Sequence, residues 1–309
     1  MRILIELPTW LGDAVMSTPA IENLVNYYDE SEVILIGSFI SIEALKNHPR
    51  ISNTYVTRKK YISLYKISKK LGQFDIFFSF RSSFRSKFLK LLISSKKKFQ
   101  FDENRYQNRH QVEKYNDFVN DNLNTNFHPG KLIVHPSFKL LNKNSKPIVG
   151  INPGASYGNS KRWYPQKFAQ VATELSHKFD ILIFGGLNEK NIAADIEKLL
   201  IENNVLNYQN LAGNTNISEL INQISNLDLF ITGDSGPMHL AASFEVPTVA
   251  IFGPTKDEET SQWMNNKSII VKKDLDCQPC MQRTCPLKHH NCMNHIKAID
   301  VLNAVKSLD

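Results

Sequence analysis

The sequence predicts an α/β protein of two doubly wound domains, on three observations. Its 309 residues suggest two domains at roughly 100–200 residues each. Apolar runs of strand length alternate with stretches of helical period, the pattern of parallel sheets covered by helices. The polar segment Asn142–Lys146 separates two such series, which sets the domains at 1–146 and 147–309.

In the first series, Arg2–Leu7 reads as a strand because it is a short, nearly continuous apolar run. Val15–Tyr28 has helical period, and Glu32–Ile36 returns to strand length. Phe74–Phe80 and Ser83–Ile93 repeat the pair. The second series is cleaner. It runs through strand Pro147–Ile151, helix Pro165–His177, strand Asp180–Phe184 and helix Asn188–Glu202. Helix Ile217–Asn226, strand Asp228–Thr232, helix Gly236–Phe244 and strand Pro247–Phe252 complete it. The order of strands within each sheet is not written in this pattern.

Composition narrows the class. With 42% hydrophobic and 22% charged residues, the chain is neither disordered nor collagen-like. No run approaches ~18 apolar residues, so no transmembrane helix is expected. Residues 1–11 lack the features of a secretory signal, so a cytoplasmic location is expected. The net charge of +7 is divided unequally, +10 on residues 1–147 and −3 on 148–309. Between Arg58 and Lys98 stand 13 Lys and Arg against one acid, Asp75. Such a half suits an anionic partner: nucleic acid, an anionic lipid surface or a phosphorylated substrate. A solvated basic face is the bland alternative. Zinc-finger spacing and an RNP1 octamer are both absent, so nucleic acid has no motif behind it.

Doubly wound domains bind ligands beyond the C-terminal ends of their strands, and four loops there carry chemistry. LPTWLGD (7–13) ends in Asp13, either an N-cap or a carboxylate able to accept a proton from a substrate hydroxyl. NPGASYGNSKRW (152–163) offers two glycines for close backbone approach, the hydroxyl of Ser156 and the charge of Lys161, a composition suited to phosphate. GDSGPMHLAA (233–242) leads Asp234, Ser235 and Gly236 into a helix, whose N-terminus favours an anion; His239 falls near its first turn. FGGLNEK (184–190) ends a strand in two glycines and places Glu189 where a carboxylate can bind ribose hydroxyls or stabilise a helix start. Cys277, Cys280, Cys285 and Cys292 form one cluster. Their C-x2-C start is compatible with structural zinc, although the later spacings match no common zinc module. Reduced thiols pinning an irregular loop are the other reading, and a cytoplasmic compartment disfavours disulfides.

Taken together, LPTWLGDAVMSTPAIENL (7–24), NPGASYGNSKRW (152–163), the long segment LAGNTNIS…VAIFGPT (211–255) and CQPCMQRTCPLKHHNCMNHI (277–296) resemble the bacterial heptosyltransferases of lipopolysaccharide core assembly, glycosyltransferase family 9. YGNSKRW and the cysteines are most similar to the heptosyltransferase II branch. The resemblance implies a GT-B fold, two Rossmann-like domains facing a central cleft, with acceptor on the first and nucleotide sugar on the second. It implies ADP-heptose as donor and the first heptose of a Kdo-lipid A inner core as acceptor. Transfer would invert the anomeric centre with no required cofactor, at the cytoplasmic face of the inner membrane, with peripheral membrane contact and no nucleic-acid partner. Asp13 matches the catalytic carboxylate and Lys161 the lysine that neutralises the departing diphosphate. Ser156, Glu189, Asp234, Ser235, Gly236, Met238 and His239 match donor-binding positions. Pro237 departs from the family's usual apolar residue and removes one N–H at the helix start. The basic half would meet the polyanionic acceptor through Arg58, Lys59, Lys60, Arg81 and Arg85. Heptosyltransferase I or III, another family 9 transferase, and a non-catalytic nucleotide or anionic-lipid binding protein on the same fold are the alternatives.

Overall fold

Ile3, Leu4 and Ile5 are all fully buried, so β1 (Arg2–Glu6) is covered on both faces, as a central parallel strand must be. It pairs in parallel with β2 (Glu32–Gly37) on one side and with β4 (Gln73–Ser79) on the other. β3 (Ile51–Val56) and β5 (Ser94–Gln100) form the edges, giving the order β3-β2-β1-β4-β5. The intervening helices are α1 (Leu11–Met16), α2 (Thr18–Tyr27), α3 (Phe39–Leu45), α4 (Tyr61–Leu71) and α5 (Phe84–Leu92), and α6 (Gln111–Leu123) follows β5. Leu64 and Leu71 of α4 and Leu89 of α5 pack with Leu4, Ile36 and Phe77 in one apolar cluster. The strand order reverses direction between β1 and β4, so the loops after these two strands flank the crevice where such sheets bind ligands.

The second sheet repeats the plan with one more strand. β6 (Ile148–Asn152) lies between β7 (Asp180–Ile183) and β9 (Leu229–Gly233), and the full order is β11-β10-β9-β6-β7-β8. β8 is Tyr208–Asn210, β10 is Thr248–Ile251 and β11 is Ser268–Val271. The helices are α7 (Pro165–Ser176), α8 (Lys190–Glu202), α9 (Ile217–Ile224), α10 (Gly236–Ser243), α11 (Asp257–Thr260), α12 (Asn291–Asn294) and α13 (Ala298–Lys306). Val149, Ile151, Ile183, Ile231 and Val249 join Trp163, Phe168, Ile196 and Val301 in its main core. Here the direction changes between β6 and β9, which puts the loops 152–163 and 233–236 side by side at the switch point.

The computed structural model describes residues 1–58, 60–137 and 146–308. The chain divides into compact units Met1–Ser137 and Phe138–Asp309. Of the expected linker, residues 142–145 lie outside the described residues. No described helix is long and apolar enough to cross a membrane. Two departures from expectation have plain causes. The single helix expected over Val15–Tyr28 is two helices, α1 starting earlier at Leu11 and breaking at Ser17. Pro19 has no N–H for the helical ladder, and the Ser17 and Thr18 hydroxyls donate instead to the Ala14 and Val15 carbonyls at 2.7 Å each. The edge strands β3 and β5 are polar and escaped the apolar pattern. Lys96–Lys98 sit on β5, where lysines discourage further pairing at a sheet edge.

Candidate functional site

In the second unit, polar residues from three adjacent strands converge at the switch point. Lys161 ends a short 3₁₀ turn, Asn159–Lys161, in the loop after β6. Its ammonium donates to Asp234 Oδ2 at 2.5 Å, and the Thr255 hydroxyl donates to the same oxygen at 2.6 Å. Asp234 is 5% exposed as a side chain and Lys161 12%, so this pair is largely withdrawn from water. The Lys161 ammonium also stands 4.7 Å from the Tyr157 ring centroid. An ammonium has three donors; with one committed to Asp234, Lys161 keeps capacity to meet an anion.

Around this pair, the Asn152 amide, at the end of β6, donates to the hydroxyls of Thr232 and Ser235 at 3.1 Å each. These bonds tie the ends of β6 and β9 together. Ser235 is the N-cap of α10, with Gly236 its first residue and Pro237 in the first turn. On the other side of β6, Glu189 Oε2 accepts the Gly186 N–H at 2.6 Å. A Cβ at Gly154 would overlap the Glu189 carboxylate, so absence of a side chain there is what lets the carboxylate settle against the loop after β6. Ser156 is exposed on that loop. Lys161, Asp234, Ser235, Gly236 and Glu189 are thus brought to one sheet edge. Met238 and His239 are placed differently. Met238 is fully buried against Ala250 and Phe252, and His239 is 3% exposed within α10, so both side chains belong to the interior.

The cysteine segment lies against the same loop. The Ser160 N–H donates to the Arg283 carbonyl at 3.2 Å, its hydroxyl to the Gln282 carbonyl at 2.5 Å, and its own carbonyl meets His290 Nε2 at 2.8 Å. Tyr157 donates its hydroxyl to the Met281 carbonyl at 2.6 Å. Segment 277–292 therefore clasps the loop that carries Lys161. All four cysteines are free thiols lining one small pocket with His289 and His290. Among the described residues, however, no three His, Cys, Asp or Glu side chains are grouped so as to hold a metal ion. Structural zinc at Cys277, Cys280, Cys285 and Cys292, one of the two readings of the cluster, is therefore not supported, and Cys292 itself packs into the apolar core beside Met293 and Ile296. Burial and the neighbouring thiols push its pKa up to about 11.

The first unit presents a different edge. Asp13 lies in the first turn of α1, whose N-cap is Trp10, so the cap expected of Asp13 belongs to another residue. A carboxylate in a helix's first turn is favoured by the macrodipole. The fully buried Tyr115 phenol is pushed well above its usual pKa, first by burial and then by the Asp13 charge, which puts the two in electrostatic reach. Glu6, fully buried at the end of β1, accepts the Ser79 hydroxyl at 2.7 Å and that of Ser86, and pairs with Arg81 at 3.3 Å. One carboxylate thus fixes the turn between β4 and α5 that carries Arg81, with Arg85 in the first turn of α5. Arg85 donates to the Arg58 carbonyl, and burial together with the Arg81 charge lowers its pKa. Arg58 and Lys60 are exposed, and Lys59 lies outside the described residues.

Sequence reasoning missed Glu6, Asn152 and Thr255, whereas the close approach it expected at Gly154 is the one the Glu189 carboxylate makes. Glu6 had a signal: an acid within an apolar strand run, which the interior tolerates only if bonded. Thr255 had none, since it reaches Asp234 from the far side of β10.

The family model for glycosyltransferase family 9 (heptosyltransferase) matches residues 64–291. Lipooligosaccharide heptosyltransferase 2 of Campylobacter jejuni subsp. jejuni serotype O:2 is 43% identical, over 100% of this chain and 98% of the relative. Among solved structures, the glycosyl transferase family 9 protein of Veillonella parvula superposes with a TM-score of 0.83 at 20% identity, covering 99% of this chain and 96% of that one. Escherichia coli ADP-heptose lps heptosyltransferase II superposes at 0.78 and 20% identity, covering 100% and 98%.

Proposed function

The chain belongs to glycosyltransferase family 9 and has its two-domain GT-B fold; from that premise we propose that it moves L-glycero-D-manno-heptose from ADP-heptose to the first heptose of a lipopolysaccharide or lipooligosaccharide inner core. The full-length identity with a heptosyltransferase 2 carries the choice of reaction. The Lys161–Asp234 pair at the second switch point is the single geometric observation that carries the choice of site.

In this reading the diphosphate of ADP-heptose lies against Lys161, the Ser235–Gly236 helix start and the exposed Ser156 hydroxyl. Asp234 and Thr255 hold the ammonium in place, so that charge developing on the leaving diphosphate meets a cation already oriented. Glu189, seated on Gly154, takes the ribose hydroxyls. Met238 and His239 support the helix start from within. Asp13 accepts the proton of the attacking hydroxyl. Arg81 and Arg85, with Arg58, Lys59 and Lys60, meet the phosphates and carboxylates of the acceptor, where guanidinium groups bind such anions bidentately. The acceptor's lipid places the work at the cytoplasmic face of the inner membrane.

Purified protein incubated with ADP-heptose and mono-heptosylated Kdo–lipid A should yield a product heavier by one heptose residue. A product formed only from heptose-free Kdo–lipid A would assign the first transfer instead, and no product from either would overturn the reading.

A further inference from the structure

We propose that the outer face of α4 and α5 is a docking surface for an anionic phospholipid bilayer, an inference that rests on the lipid-borne acceptor of the proposed function and assigns it a place on this chain. At about 100° per residue, Leu64, Ser68 and Leu71 of α4 point inward and are buried. The opposite stripe is Ile62, Tyr65, Lys66 and Lys69, all exposed. On α5, Ser86 and Leu89 are buried while Phe84, Lys87 and Leu91 face out. The apolar members are unusually bare: Phe84 and Leu91 are each 77% exposed and Ile62 is 66%. Tyr61 packs edge-on against Phe88 at 5.2 Å between ring centroids, which joins the two helices into one face.

The charge on this face selects the partner. Neither helix carries an acidic residue, whereas an ordinary solvated surface intersperses both signs. Protein interfaces deplete lysine at their cores, so lysines set between exposed aromatic and aliphatic side chains fit a second protein poorly. A nucleic acid would use the cations and leave Ile62 and Leu91 in water. A bilayer interface uses both. Aromatic and aliphatic side chains enter the headgroup layer while long basic stems reach back to anionic headgroups. Lys69 and Tyr65 lie together on this face, the ammonium 5.6 Å from the centre of the Tyr65 ring.

The test is sedimentation of the full-length protein with vesicles of phosphatidylcholine alone and of phosphatidylcholine mixed with phosphatidylglycerol. Wild type should partition onto the mixed vesicles at low salt and much less onto neutral ones. Ile62→Ser with Phe84→Ser should lower that partition at least about tenfold, and Lys66→Gln with Lys69→Gln and Lys87→Gln about a hundredfold. Both variants should transfer heptose to detergent-dispersed acceptor at the wild-type rate, which shows them folded. Loss of transfer by wild type on dispersed acceptor would sink the proposed function, not the docking surface. Wild type that ignores anionic vesicles would overturn the docking surface. So would variants that partition unchanged, or an apolar variant whose only change is loss of self-association.

Discussion

The two units share a topological plan and use it in opposite ways. At the switch point of the second, polar groups are bonded to one another: Lys161 to Asp234, Thr255 to the same oxygen, Asn152 across to Ser235, Glu189 to the Gly186 amide. At the switch point of the first, the buried carboxylate of Glu6 pairs with Arg81, and Arg85 stands beside them with the exposed Arg58 and Lys60 nearby in sequence. A closed polar cluster is preorganised for a small ligand of fixed geometry. An open cationic edge suits a large polyanion. In the proposed reading the fold supplies the location of each site, and the polar groups gathered there supply its character.

The sharpest way to break this comparison is Asp13→Asn. It should lower kcat by about 10²–10⁴-fold, because an amide cannot accept the proton, and leave ADP-heptose binding by calorimetry unchanged. Near-normal turnover would remove Asp13 from the chemistry. Glu6→Gln should raise the acceptor KM while sparing the donor KM. It should also cost about 2 kcal/mol in denaturant unfolding, since hydrogen bonds to a charged group are the stronger kind. An unchanged acceptor KM would reduce Glu6 to a purely structural carboxylate. In the second unit, Gly154→Ala must displace the Glu189 carboxylate. It should weaken ADP binding severalfold with acceptor KM unaltered, and tight ADP binding in that variant would take the ribose role from Glu189.

The smallest effect concerns the clasp on the Lys161 loop. With its pKa raised to about 11, Cys292 should stay protonated, and slow to alkylate, at pH values where an unfolded thiol already reacts. The sign for stability follows from the same shift. An unfolded thiol ionises near pH 8.5, so the folded state holds the extra proton above that value. The contribution of buried Cys292 is therefore full below about pH 8.5 and lost as pH rises toward 11. Iodoacetamide labelling read by mass spectrometry across this range checks it, and Cys292 labelling first would contradict the burial.

Much of this division was legible beforehand. Central strands such as β1, β6 and β9 are apolar on both faces, and their runs name them. The loops that follow them, with the loop after β7, drew attention in advance to Asp13, Lys161, Asp234 and Glu189. Strand order was not legible, because neighbours in a parallel sheet leave no mark on periodicity. The polar edges β3 and β5 were hidden for the reason that makes them edges. Met238 matched a donor position by motif, yet helical rotation turns its side chain toward Phe252. The clasp of 277–292 on Ser160 joins segments more than a hundred residues apart through backbone carbonyls, which no side-chain pattern records.

The central claim is that donor and acceptor are read by separate units, and crossed kinetics test it most directly. KM for ADP-heptose and for the mono-heptosylated acceptor should be measured in Lys161→Ala and in Arg81→Ala. The account predicts a crossed result. Lys161→Ala should lower kcat/KM for ADP-heptose by about 10²–10³-fold with acceptor KM near wild type. Arg81→Ala should raise acceptor KM about tenfold or more, in keeping with loss of a charged hydrogen-bonding partner, with donor KM unchanged. Parallel shifts of both constants in both variants would contradict it.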